Sequence, residues 1–500
     1  MATKTFDDFL KAHHPLAESS KVHEVHTNPA PKGTKRFLFT SAQNGTPVRP
    51  LVWQAILRAR EYWDAHLSVI QLRYKNPTST WSRSQEDKET WDAETRPYWL
   101  NQRMDVNRNL VCVGSIKIVP TATKPLSGFE SFTGGESTIV GHTRYQFKTV
   151  PVPGSAMAKL MTTTGACTEP NYTNSRAGAG GEFHHCFGAV LVELDKCGKF
   201  YLRHLNFTGD GIAYDASGVM ITPEGVIPFE GAAAVALGDT HVRFRDKGVE
   251  RGTFGKGGLV DTLKPEAIYW HDVCDGYGAN PHHDGNPFNE QAKALSGFDD
   301  VEDEVREAVN YVAQNTPAFA ESYIVPDNHG DFLRRWILKK DWRKEVMPIA
   351  RSFYLRTALA MHESTKMGSG GTETVSPWFY WVEHFMNKTW DRAKVRVKCL
   401  SGHGGEGSEV HGIQMDMHGH AGPNGARGSL QNLKRIGRKA IIGHSHSPGV
   451  DEGCMQTGTS SLLHLEYNGS GPSSWLHAHA VVYPNGKRQL VVIIDGKYKL

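Results

Sequence analysis

The sequence predicts a mixed α/β protein, and three observations carry that reading. Near the start, RFLFTSAQ (Arg36 to Gln43), PLVWQAILRAREYW (Pro50 to Trp63) and LSVIQLRY (Leu67 to Tyr74) follow one another as an apolar run, a helix-spaced segment and a second apolar run. That order is a βαβ unit. In the second half, four short apolar runs each end in a polar tip: GAAAVALGDTH (Gly231 to His241), EAIYWHDVCD (Glu266 to Asp275), ESYIVPDNHGD (Glu321 to Asp331) and KAIIGHSHSP (Lys439 to Pro448). Helical segments alternate with them. DDVEDEVREAVNYVAQN (Asp299 to Asn315) puts Val301, Val305, Ala308, Val309 and Val312 on one face with an aspartate available as N-cap, and FLRRWILKKDW (Phe332 to Trp342) is a second helix.

The remaining elements are less regular. NLVCVGSIKIV (Asn109 to Val119) is expected to be a strand, and GAVLVELDKCGKFYLRHL (Gly188 to Leu205) a hairpin turning at Lys196 to Gly198. Gly-rich TNSRAGAGGE (Thr173 to Glu182) is expected to be a loop or a tight backbone approach; no P-loop lysine and serine follow it, so a phosphate cradle is disfavoured. A Gly, Asp and Pro-rich stretch over residues 209–230 marks a seam. It divides the chain into a mixed α/β N-terminal domain of unassigned role, 1–230, and a C-terminal domain, 231–500, with an insertion at about 340–410.

Composition excludes several classes. The 500 residues are 39% apolar and 22% charged, which suits a globular chain with large cores rather than a disordered or fibrous one. The formal net charge of +3 creates no overall field that demands a nucleic-acid partner. MATKTFDDFLKAHHPL at the start has no apolar h-region, and no uncharged apolar run approaches the ~18 residues of a spanning helix, so a cytoplasmic protein without a membrane partner is expected. Seven scattered cysteines, with no CxxC pair, argue against a disulfide framework or a thiolate zinc site. Histidine is the unusual residue: there are 25, many of them between Asp239 and His479.

The polar tips hold metal-ligand chemistry. The first carries Asp239 and His241, the second His271, Asp272 and Asp275, the third Asn328, His329 and Asp331, and the last His444 and His446; MDMHGHAG adds His418 and His420 before the last tip. Strand C-termini in α/β folds converge on ligand sites. Oxygen and imidazole donors without thiolate suit Mn²⁺, Fe or Zn²⁺, and the number of donors exceeds what one ion needs. Asp275 reads as a turn residue. His271, His282, His283, His384, His403 and His411 read as ordinary surface or core histidines; His282-His283-Asp284 could cap the site, with a solvated loop as the preferred reading.

In order and placement these segments resemble the calcineurin-like metallophosphoesterase superfamily. Its signature runs D-x-H, an aspartate after a strand, N-H, a lone histidine and G-H-x-H. The counterparts here are GDTH (Gly238 to His241), Asp272 in HDVCD, Asn328-His329 in PDNHGD, His418 in MHGH, and GHSHSP (Gly443 to Pro448). The resemblance covers Gly231 to Tyr483, about half the chain, and implies a two-sheet β core flanked by helices. It assigns one divalent cation to Asp239, His241 and His446 and a second to Asn328, His418 and His444. Asp272 bridges them, His329 acts on the leaving oxygen, and His418 is preferred over His420. Mn²⁺ is the expected metal, with Zn²⁺ or Fe as alternatives. Two such cations would activate water and clamp a phosphoryl group. The chain departs from the pattern where His271 stands for a glycine before Asp272, and where Asp327 precedes and Gly330 follows Asn328-His329.

Basic residues surround these motifs. Arg427, Lys434, Arg435, Arg438 and Lys439 lie near GHSH; Arg334, Arg335, Lys339, Lys340, Arg343 and Lys344 follow Asn328-His329. RAKVRVK (Arg392 to Lys398) follows the aromatic run WFYW (Trp378 to Trp381). Such groups would bind a polyanion, with exposed aromatics stacking on unpaired bases; the equal alternative is a salt-bridged helix face and a buried aromatic core. Arg427, Arg435, Arg438, Arg334 and Arg335 are the expected substrate contacts. The whole is similar to phage-encoded nucleases that degrade host DNA, which implies DNA as substrate, the host cytoplasm as location and a homo-oligomer as a possible form. The alternatives are a nucleotide or cyclic-nucleotide phosphodiesterase or phosphatase, and a non-catalytic nucleic-acid-binding phage protein.

Overall fold

The computed structural model describes residues 16–18, 29–72, 90–116, 118–153, 157–283, 286–339, 341, 343, 348–368, 371–469 and 471–500. The expectations for 1–15, Arg73, Tyr74, Asp284, Lys340, Trp342 and Lys344 lie outside these residues.

The βαβ unit is present: β1 (Arg36–Gln43), α1 (Pro50–Trp63) and β2 (His66–Leu72), with β1 and β2 parallel. The expected long strand after Asn109 is only β3 (Leu110–Val113). Beyond it come β4 (Ser137–Val140), β5 (Gln146–Val150) and β6 (Lys159–Thr163). The Gly-rich segment is a correction, because it folds as helix α2 (Arg176–Phe183). Ser175 caps it by accepting from Gly178 N, and a Cβ on Gly178 would meet Thr173 O at 1.9 Å, so the close backbone approach lies inside a helix start. The hairpin is β7 (Gly188–Leu194) and β8 (Phe200–Asn206), turning where Gly198 N donates to Asp195 O.

The second half supplies β9 (Ala234–Ala236), α3 (Lys247–Phe254), β10 (Ala267–Trp270), α4 (Pro287–Ser296), α5 (Val301–Gln314), β11 (Glu321–Ile324), α6 (Gly330–Lys339), α7 (Pro348–Ser364), α8 (Pro377–Thr389), β12 (Val397–Cys399), β13 (Lys439–Ile442), β14 (Gly449–Asp451), β15 (Cys454–Gln456), β16 (Ala478–Val482) and β17 (Arg488–Val492). A six-stranded sheet runs β12-β11-β10-β9-β16-β17, its first four strands parallel. A ten-stranded sheet contains β13-β15-β14-β5-β6-β4-β3, with short strands at both edges. A five-stranded sheet carries β8-β7-β1-β2.

Alternation along each strand sorts the cores. Val235, Ile268 and Trp270 pack with Val301, Val305, Ala308, Val309 and Val312 of α5 and with Trp378 and Trp381 of α8, so one face of the six-stranded sheet is covered by helices. Of the two readings of the WFYW run, the buried core is the one observed: Trp378 and Trp381 are core residues, not exposed stacking groups. The other face presents Ala234, Ala236 and Tyr269 to Ile441 and Met455 of the ten-stranded sheet and to Phe37, Phe39, Val190 and Val192 of the five-stranded one. Leu38, Ala189 and Leu191 point to a third core under α1.

The composition seam before residue 231 does not divide the sheets. β5 pairs antiparallel with β14, Phe147 opposite Val450, so strands from both sides of the seam share one ladder. A buried network reinforces this: Arg203 pairs with Glu193 and Asp215 and donates to Tyr498 O, while Gln489 donates to Asp215.

Buried histidines in the first half make stability pH-dependent. His142 accepts from Arg144 N at Nδ1 and donates from Nε2 to Val119 O, leaving no place for a second proton; burial, with help from Arg144, pushes it down to about 4. His204, stacked 3.7 Å from Tyr145, is pushed by burial to about 3. An unfolded histidine titrates near ~6.5, so both contribute fully above that pH and lose stability as pH falls through it towards the folded values. Unfolding free energies from urea titrations at pH 7, 6 and 5 are expected to fall, with a slope that approaches about 1.4 kcal/mol per pH unit per histidine below about pH 6. His142→Gln should remove one such share.

Candidate metal centre

The centre forms where the parallel strands of the six-stranded sheet end and where β13 turns towards β14. Three of the polar tips leave β9, β10 and β11, and the fourth comes from the facing sheet. Strand ends that stop in register bring their loops together: His241 N donates to Asp272 O and Gly443 N to His418 O. Four non-glycine residues here, His241, Asp272, His444 and His446, have positive φ between 40° and 78°. Such backbone is costly for ordinary residues and is held only where the surroundings over-determine it.

The side chains meet closely. His446 Nε2 lies 3.0 Å from Asp239 Oδ2 and 3.1 Å from His241 Nε2. Asp272 Oδ2 is 3.1 Å from His418 Nε2 and 3.9 Å from both His241 Nε2 and His329 Nε2. Asp239, His241, Asp272 and His446 each offer a donor atom, all within 4.8 Å of one another, and all four are buried. Asp239 Oδ1, Asp272 Oδ1, Asn328 Oδ1 and His446 Nδ1 are buried with no hydrogen-bond partner among the described residues. Buried polar atoms seldom go unpaired, and bare carboxylate and imidazole donors facing one another are what a hard or borderline divalent cation requires. The residues present fit such cations.

Electrostatics point the same way. Burial would raise Asp272 and Asp239, but the surrounding histidines, His418 foremost, hold both carboxyls below the usual range. Burial would lower His418, but Asp272 and Asp239 lift it to about 9. Both carboxyls are thus ionised, with imidazoles packed around them.

Of the two histidines in MHGH, His418 is the buried one beside Asp272, while His420 is half-buried with its ring 6.2 Å from that of His444. His444 donates its backbone N–H to Asp239 Oδ2, and its ring stacks edge-on to His418 at 5.3 Å. A cleft of about 730 Å³ opens beside Asn328, His329 and His444. Of the five arginines expected at the substrate, Arg427 lines this cleft. Arg334 and Arg335 pair with Asp331, and Arg438 pairs with Glu409. Arg435 is exposed.

Several residues at the centre escaped the sequence reading. Asp275, expected to be a turn residue, is buried and lies 2.9 Å from His241 Nδ1, leaving His241 Nε2 turned towards the other donors. A carboxylate behind a histidine in this way fixes its tautomer and ring orientation. The Asp275 backbone carbonyl accepts from His329 Nδ1 at 2.6 Å, so that nitrogen carries the proton and Nε2 lies 3.9 Å from Asp272 Oδ2. Asp275 follows Asp272 by three residues in the same tip, and only the folded loop reveals that it turns back. His271 is also no ordinary histidine: its Nδ1 lies 3.3 Å from His418 Nδ1. Asp327 accepts from Gly330 N, and burial beside Asp272 pushes it to about 7. His282 and His283 were expected in a solvated loop, but both line the cleft and His283 is buried.

Gly443 has a steric role. A Cβ there would lie 2.3 Å from Asp239 Oδ1 and 3.1 Å from His271 Cγ. Gly443→Ala is expected to displace the Asp239 carboxylate and weaken Mn²⁺ binding by roughly 10- to 100-fold, the usual scale for disturbing what orients a ligand. Titration calorimetry on the folded variant checks this.

Fold and centre together define a mixed α/β protein with a buried carboxylate and imidazole cluster able to hold divalent cations. No protein-family model matches the chain, and no solved structure matches it. It is 28% identical over 476 residues to Protein A1 of Escherichia phage T5, an alignment covering 93% of this chain and 83% of that protein. Among the described residues no helix is long and apolar enough to cross a membrane.

Proposed function

We propose that the chain is a calcineurin-like metallophosphoesterase that cleaves DNA as a two-metal phosphodiesterase, encoded by a phage and acting on host DNA. The observation that carries this reading is the convergence of Asp239, His241, Asp272, Asn328, His418, His444 and His446 from five separated segments, with unpaired donor atoms among them. Asp239, His241, Asp272 and His446 would hold one cation. Asp272, Asn328, His418 and His444 would hold the other. When bound, such a pair activates water at neutral pH and neutralises charge on a phosphoryl group.

The chain's own residues do the rest. Asp275 orients His241 through Nδ1 and fixes the His329 tautomer through its carbonyl. His329, protonated at Nε2 as well, then gives that proton to the leaving oxygen. Arg427 at the cleft binds a flanking phosphate. Likeness to a phage protein supports the phage origin.

A nucleotide phosphodiesterase is the second reading, favoured by a cleft whose volume lies in the small-ligand range. Plasmid, oligonucleotide and bis(p-nitrophenyl) phosphate incubated with Mn²⁺, each with an EDTA control, separate the readings. EDTA-sensitive loss of plasmid is the expected result. Turnover of the small ester alone supports the second reading, and DNA binding without cleavage of any substrate overturns both.

A further inference from the structure

The cleft beside His329 is built from the wrong material for a phosphate track. Its walls include Phe244, Tyr277, Phe332 and Leu465, and among the described residues Arg427 is the one Arg or Lys that lines it. Tyr277 is held at both ends: its backbone N–H donates to Glu304 and its Oη to Glu466 Oε2 at 3.1 Å. Its ring lies edge-on to Phe244 at 5.4 Å, and the Phe332 ring lies 4.8 Å from that of His329, so the aromatic surface begins at the proposed proton-transfer group. A polyanion would need several cations along such a wall. Flat apolar surfaces suit a nucleobase instead.

The cleft also has polar groups suited to a base edge. His283 is buried and lines it, and among the described residues its Nδ1 has no hydrogen-bond partner. Asn289 lines the same wall. In an intact duplex both faces of a base are covered by its neighbours and its pairing edge is occupied, so neither could meet these walls. Only an unstacked base could.

Resting on the phosphodiesterase reading, we infer that this cleft receives one unpaired, unstacked nucleoside next to the scissile phosphate. The preferred substrate is therefore single-stranded DNA or the frayed end of a duplex. Tyr277 is a specificity residue in this scheme, stacking on the base.

The test uses the full chain with Mn²⁺ on a labelled single-stranded 30-mer, the same sequence as a blunt duplex, and a single strand with abasic residues throughout its centre. The single strand should be cleaved with kcat/KM at least about tenfold above the duplex, the scale of one stacked base. Tyr277→Ala should cost about tenfold on the single strand, mainly through KM, and Tyr277→Phe should restore most of it. The losses from Tyr277→Ala and from removing the bases should not add. Equal rates on single strand and duplex, or additive losses, overturn the inference and leave the phosphodiesterase reading standing. No cleavage of any strand overturns both. If Tyr277→Ala fails to fold by circular dichroism, the wild-type comparison of normal and abasic strands decides alone: equal rates overturn the inference.

Discussion

Asp272→Asn is expected to lower Mn²⁺-dependent DNA cleavage by roughly a thousandfold or more, a loss of the several kcal/mol that paired cations supply at a phosphoryl centre. The size follows from its position. One oxygen lies 3.1 Å from His418 and 3.9 Å from His241 and His329, and the other has no partner. Asparagine keeps the shape but removes the charge, and its amide replaces one acceptor oxygen with a donor. Calorimetry should register fewer bound Mn²⁺ per chain, and circular dichroism should show an intact fold. A variant cleaving within about threefold of wild type would remove Asp272 from the centre.

His329→Ala is expected to behave differently, losing about 10²- to 10⁴-fold in kcat on DNA while binding Mn²⁺ as wild type does. The ring is held by its Nδ1–H to Asp275 O, it lines the cleft, and Nε2 lies 3.9 Å from Asp272 Oδ2. Its role is a proton, so the loss should shrink when the leaving group needs none. Bis(p-nitrophenyl) phosphate releases a stable phenolate, and the variant should be impaired less on it than on DNA. Equal losses on both substrates would mean that His329 acts by position or charge rather than by proton transfer.

Much of this was legible from local pattern. The helix at 301–314 could be read because its valines repeat at helical spacing behind an aspartate, and those valines are core residues. The donors at strand ends could be read because a D-x-H or H-x-H tip is compact in sequence. Asp275 and His271 were not legible, since their importance lies in which neighbour they meet across the fold. The Gly-rich segment at 173–182 misled for a related reason: low helix propensity gave way to a serine cap and to space that only glycine fits. WFYW left two readings open because nothing local distinguishes an exposed aromatic face from one buried under α5 and α7. The seam before residue 231 is a real change in composition, but strand pairing ignores it.

That pairing has a bearing on synthesis. β5 leaves the ribosome about 300 residues before its partner β14. At roughly 5–20 residues per second, the nascent chain carries an unsatisfied strand edge for about 15–60 s. The histidines at 444 and 446 arrive just before that edge closes, so the first half of the polypeptide waits, half-made, for the segment that completes the cation-holding loops.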